Sequence, residues 1–158
     1  MLGESLLNSL SRNQLFHGIA EDALRELDPA LFQQRSCRPG ESVLEEGTIG
    51  REMFLIVEGT VKITKRLPNG IGIDINKLQS GEFLGELALI QEEKRSATAT
   101  CFTPVELVVI EKADFFSIVD ALPQLGNNVA RIIAGRLRQS DERTTSEIDG
   151  SLQLLDLN

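Results

Sequence analysis

Glu86 and Arg95 stand nine residues apart within Gly81 to Thr100, which reads GEFLGELALIQEEKRSATAT. An ionised carboxylate only accepts hydrogen bonds, so Glu86 wants a hydroxyl or an amine. Arg95 offers a planar fork of donors that matches phosphate oxygens, and Ser96 adds a hydroxyl beside it. Gly85 has no Cβ, so the backbone there can come close to a ligand. Gly85-Glu86-Leu87-Ala88-Leu89 reads as one or two turns of helix, whose first N–H groups lack internal partners and favour an anion. A ligand carrying a phosphate beside a free ribose hydroxyl satisfies both ends. Each residue taken singly has a plainer role. Glu86 suits a helix N-terminus, Arg95 suits a solvated strand edge beside Glu92 and Glu93, and Ser96 and Ala97 are small enough to pack anywhere. Only the combination points to binding, and it requires the two charged groups to converge on one pocket.

Composition narrows the alternatives. A chain of 158 residues suits one domain with a real core. Its net charge of −8 argues against nucleic acid as a direct partner. The one basic cluster, Arg131, Arg136 and Arg138, falls on a single expected helix, and Arg131 and Arg136 read as its solvated face. There is no tyrosine or tryptophan to stack single-stranded bases. The lone histidine, His17, and two distant cysteines, Cys37 and Cys101, match no metal spacing, so no cofactor is expected. Both cysteines fall in expected strands and read as small buried side chains. No Gly-Lys-Ser/Thr phosphate loop and no GxSxG elbow occurs, and no serine or cysteine pairs with His17, so the chain does not read as an enzyme. No apolar run approaches a membrane span, and MLGESLLNSL lacks the pattern of a secretory signal; the expectation is a cytoplasmic protein.

The elements around the stretch are expected in three blocks and a tail. Residues 1–33 form a helical segment: Gly3 to Leu15, then Glu21 to Phe32 with a kink at Pro29, with Phe16 and Ile19 as docking residues. Residues 34–112 form short strands: Gln34–Arg38, Ser42–Glu45, Met53–Val57, Thr60–Lys65, Gly72–Leu78, Arg95–Phe102 and Val105–Ile110, with the ligand stretch 81–98 set among them. Glu58-Gly59 is expected to close a hairpin between two of these strands. Ile71, Ile73 and Ile75 alternate with polar residues, which predicts one buried face. Residues 113–140 form two helices. Asp114 caps the first, with Phe115, Phe116, Ile118 and Val119 inward; Pro123 opens the second, with Leu125, Val129, Ile132, Ile133 and Leu137 as its stripe. Residues 141–158 are expected to be a flexible tail.

GELAL followed by RSAT at this spacing resembles the phosphate-binding cassette of the cyclic nucleotide-binding domain family. That family is shared by bacterial cAMP-responsive regulators, cyclic-nucleotide-dependent kinases and cyclic-nucleotide-gated channels. The likeness runs from about Leu15 to Leu137. It implies a mainly β member of the α+β class: an antiparallel, jelly-roll-like β-roll flanked by N-terminal and C-terminal helices. On matching positions it implies that Glu86 holds the ribose 2′-hydroxyl and Arg95 the cyclic phosphate. Ser96, Ala97 and the backbone of Gly85, Glu86, Leu87 and Ala88 would complete the anion cradle. Lys94 departs from the proline that many members carry there, which changes loop stiffness and adds a charge.

Two functions follow. The first is a sensor domain for cAMP, with cGMP open because Ser96 has a hydroxyl but no methyl, reporting through movement of the C-terminal helix. The second is a β-roll that has lost its ligand and serves interaction or dimerisation. A homodimer through the C-terminal helix, or a protein effector, is the partner expected beside the nucleotide.

Overall fold

Two runs of the sequence, MFLIV at 53–57 and LVVI at 107–110, are apolar without alternation, and the architecture explains why. The computed structural model describes residues 1–87 and 94–135. In it, eight strands form two antiparallel four-stranded sheets. They are β1 Gln33–Cys37, β2 Ser42–Leu44, β3 Glu52–Glu58, β4 Thr60–Arg66, β5 Gly72–Gln79, β6 Phe83–Leu84, β7 Thr98–Cys101 and β8 Val105–Glu111. One sheet has the order β1-β8-β3-β6, the other β2-β7-β4-β5. In the first, β3, β6 and β8 are buried on both faces, while the edge strand β1 is exposed except at Cys37. Phe54, Ile56, Leu84, Val105, Leu107 and Val109 point into the core between the sheets. Met53, Leu55, Phe83, Val108 and Ile110 point the other way, into a core shared with the helices. A strand covered on both sides has no wet face, so its sequence loses the period of two.

The helices form that second core's cover. Among the described residues they include α1 Glu4–Ser11, α2 Glu21–Arg25, α3 Lys112–Ala121 and α4 over 123–135. Two 3₁₀ turns, Gln14–Phe16 and Pro29–Leu31, end the expected N-terminal helices early. In each, the residue ahead caps the turn with its side chain: Asn13 accepts from the Leu15 N–H and Asp28 from that of Ala30. Leu6, Leu7 and Leu10 of α1, with Phe16, Phe115, Leu125 and Val129, pack in one cluster. Phe16 and Ile19 dock as expected. Helix α3 starts two residues earlier than expected, at Lys112 with Glu111 as its N-cap, so Asp114 sits in its first turn. Phe115 and Ile118 face inward, whereas Phe116 is exposed.

Two buried asparagines splice the layers, and nothing in the sequence pattern marked them. Asn13 Nδ2 donates to the Glu82 carbonyl at 3.0 Å. Asn128 Nδ2, on α4, donates to the carbonyls of Leu15 and His17, both at 2.8 Å. The turn around Leu15 is thereby tied to the β-roll on one side and to α4 on the other.

Three expectations need correction. Glu58-Gly59 does not close a hairpin: β3 and β4 lie in different sheets, and Gly59, at φ +98°, turns the chain from one to the other. Its α-carbon is packed so closely that a Cβ would stand 2.2 Å from the Pro104 carbonyl. Ile71, Ile73 and Ile75 are exposed, not buried. They belong to the β4–β5 hairpin, where β5 is an edge strand and of its own residues only Leu78 is buried. The strand expected from Arg95 begins at Thr98, and Phe102 lies beyond its end, exposed. The expected tail 141–158, with Arg136, Leu137 and Arg138, lies outside the described residues, so residues 113–135 are what the structure describes of the C-terminal helical block.

Candidate ligand-binding site

The site is positioned by a strand too short to be read from sequence. Strand β6, only Phe83–Leu84, pairs antiparallel with β3, setting Leu84 against Phe54 and Phe83 against Leu55. Main-chain bonds extend this register, from Ile56 N–H to Glu82 O and from Gly81 N–H to Ile56 O, both at 2.9 Å. Phe83 and Leu84 anchor the strand by facing opposite cores. Gly85 and Glu86 therefore leave the sheet beside the start of β3.

Gly85 has φ +85°, a left-handed conformation that suits glycine. Its bare α-carbon makes room for the protein's own atoms as well. A Cβ there would lie 3.0 Å from Arg95 Nη1 and 3.1 Å from the Glu52 carbonyl oxygen. The close approach expected toward a ligand is, in this structure, an approach to β3 and to Arg95.

Arg95 comes from the other side. Its main chain is pinned to the turn before β3: the Arg95 N–H donates to Thr48 O at 2.7 Å, and Gly47 N–H to Arg95 O at 2.9 Å. The adjacent Lys94 forms an isolated bridge with Ile49. The side chain then turns inward. Nη1 donates to Gly85 O at 3.1 Å and Nη2 to Glu52 O at 2.8 Å. The guanidinium lies 6.0 Å from the Phe54 ring centroid. Arg95 is only 9% exposed and Glu86 only 6%. The solvated strand-edge role is thus excluded for Arg95. Burial pulls its guanidinium down from its ordinary value, while the charges of Glu52 and Glu86 oppose the shift. The group remains a cation at neutral pH, because arginine does not lose its proton in proteins.

The structure brings Gly85, Glu86 and Arg95 together. Ser96 is exposed and Ala97 half-buried, directly after the arginine. Leu87 is 50% exposed. Ala88, with Leu89 and the Glu92-Glu93 pair, lies outside the described residues. Two contributors were missed: Glu52, whose carbonyl receives the guanidinium, and Gly50, over which it lies. Backbone carbonyls carry no sequence signal, but a glycine two residues before a strand does offer one. An open hollow of about 760 Å³ adjoins the arrangement. Gly50 and Glu52 line it together with Ile49, Lys112 and Phe116, while Arg95 and Glu86 do not. Among the described residues no cluster of histidine, cysteine and acidic side chains could hold a metal. No described helix is long and apolar enough to cross a membrane.

The two-sheet roll and its helical cover agree with comparisons to known proteins. The family model for the cyclic nucleotide-binding domain matches residues 34–121, and the chain belongs to that family. It is 33% identical over 129 residues to the cyclic AMP receptor protein of Thermus thermophilus, covering 80% of this chain and 58% of that one. It is 31% identical over 116 residues to a cAMP-dependent protein kinase regulatory subunit of Yarrowia lipolytica, covering 73% of this chain and 29% of the relative. The crystal structure of the Thermus thermophilus catabolite activator protein superposes with a TM-score of 0.77 at 30% identity, over 82% of this chain and 60% of that one. The chain thus spans little more than half the length of the receptor relative.

Proposed function

We propose that the chain is a regulatory domain that binds a 3′,5′-cyclic nucleotide, cAMP in preference to cGMP, and performs no chemistry on it. The observation that carries this is the buried Arg95 guanidinium beside the buried Glu86 carboxylate. A buried charge is costly unless it is paired and hydrogen-bonded. Two of the five N–H donors of Arg95 go to the carbonyls of Gly85 and Glu52. The others are there for the oxygens of a cyclic phosphate, while Glu86 accepts from the ribose 2′-hydroxyl. The backbone of Gly85 to Ala88, with Ser96 and Ala97, completes the cradle. The names of the receptor and kinase relatives support cAMP as the ligand. The net charge of −8 supports a small ligand rather than nucleic acid as the direct partner of these residues.

In this reading, occupancy reaches α4. The Asn13 and Asn128 bonds connect the residues leading into β6 with α4 through the turn at Leu15. A ligand that favours one placement of the cassette shifts the population of α4 placements accordingly. Ile132 and Ile133 on α4 pack against the protein's own core, so a second copy or an effector would meet the exposed side of this helix.

The test is a thermal-unfolding panel with cAMP, cGMP and cyclic dinucleotides. A true ligand stabilises by about 2.7 kcal/mol at a hundredfold excess over Kd. Stabilisation by cAMP at lower concentration than cGMP supports the proposal. No shift with any of them leaves a roll that serves interaction alone.

A further inference from the structure

The turn between β2 and β3 does more than reverse the chain. Thr48 O holds the Arg95 N–H, and Glu52 O, four residues on, holds its Nη2. Gly50 stands midway, and the guanidinium is laid across it. A Cβ built on Gly50 would meet Arg95 Nη2 at 2.1 Å and Cζ and Nε at 2.2 Å, distances no packed structure tolerates. Several other glycines have nothing within 4 Å of such a Cβ, among them Gly40, Gly47 and Gly70. Gly59 and Gly85 are crowded too, but both have positive φ, so backbone conformation alone accounts for glycine there. Gly50 does not have positive φ. Alanine would fit its backbone, and the nearest atoms it would strike all belong to Arg95.

We propose that Gly50 is a positioning residue for the ligand's phosphate: its missing side chain sets where the Arg95 guanidinium stands. The inference rests on the reading of Arg95 as the phosphate-binding group. With a methyl group at position 50 the guanidinium cannot keep both carbonyls, Gly85 O and Glu52 O, and must swing out of its place. The binding site then loses its cation although no residue touching the ligand has changed.

The experiment is a double-mutant cycle on the full chain, with cAMP binding by calorimetry and the Arg95 Nε–H resonance by NMR, identified by its loss in Arg95→Ala. Gly50→Ala should weaken binding about tenfold or more in the unsubstituted background and about twofold or less in the Arg95→Ala background. It should also move the Arg95 Nε–H resonance without ligand, which a general loss of stability would not do. If Gly50→Ala does not fold, Gly50→Ala/Arg95→Ala, which removes the collision, should; failure of that double variant overturns the inference. Unchanged affinity and an unmoved resonance in Gly50→Ala overturn it as well. Absence of cyclic nucleotide binding by the unsubstituted chain instead overturns the function on which it rests, whatever the resonance does.

Discussion

The guanidinium of Arg95 donates to the carbonyl of Gly85 at 3.1 Å, joining the two ends of the cassette through one side chain. The bond makes the arginine a structural strut, and in the proposed function the same group is the cation that meets the phosphate. Its removal should therefore be felt in the empty protein as well as in binding.

Arg95→Ala should weaken cAMP binding by about 2–4 kcal/mol, since it leaves a desolvated phosphate without its partner. Arg95→Lys should recover only part of that. A point-like ammonium cannot fork between Gly85 O, Glu52 O and a phosphate. Calorimetry showing the same affinity in all three proteins would sink the assignment of Arg95.

Gly85→Ala should destabilise the ligand-free chain by about 1–2 kcal/mol through its left-handed backbone alone. The 3.1 Å contact to Glu52 O adds to this, because a strand carbonyl cannot move aside as a side chain can. Urea unfolding reads the effect, and a midpoint equal to that of the unsubstituted chain contradicts the turn described here.

Asn128→Ala should cost about 1–3 kcal/mol, because it strands the carbonyls of Leu15 and His17 that the side chain now satisfies. The same substitution should reduce the response of α4 to ligand. Amide exchange across 123–135, with and without cAMP, measures that response; full retention argues against the route through Leu15.

Cys101 gives a pH dependence. The Cys101 thiol is pushed up to about 11 from 9.0 by burial, with the neighbouring Cys37 thiol adding to the shift. The folded state thus keeps a proton that the unfolded chain releases above about pH 9. Stability from this group is complete below pH 9, declines as pH rises, and is lost above about pH 11. Replacing Cys101 by alanine should flatten that part of the stability curve. An unchanged alkaline slope in the variant would remove Cys101 as its source.

Ile73→Thr should change stability by less than about 0.5 kcal/mol, as expected for an exposed side chain. A core position would respond far more strongly, so the measurement separates the exposed edge strand from the buried face that alternation suggested.

Much of the fold is legible in local chemistry. Turn glycines and short apolar runs mark seven of the eight strands, because strand length and turn residues are set locally. The strand pairings are not local. Met53 and Phe54 face different cores only because a helical layer covers one side of β3, and no run of seven residues records that. Ile73 shows the converse: alternation says which residues share a face, but not whether anything packs against it. At the site, the residue types and spacing of Gly85, Glu86 and Arg95 suggested a phosphate and a ribose hydroxyl. The carbonyls that hold the arginine were hidden, since Glu52 and Gly85 act through main-chain oxygens.

The family match stops at 34 and 121, yet the molecule does not come apart at those limits. Leu7, Leu10 and Leu15 before them, and Leu125 and Val129 after them, fill the same core as Met53, Phe83 and Ile110. A fragment trimmed to the matched residues would keep only α3, with Phe115 and Ile118, as helical cover over that side of the β1-β8-β3-β6 sheet and open the rest to water. Minimal versions for crystallography, fusion sensors or display should therefore retain the chain from Leu2 through at least Val129, and shorter ones should be expected to aggregate before they can be assayed.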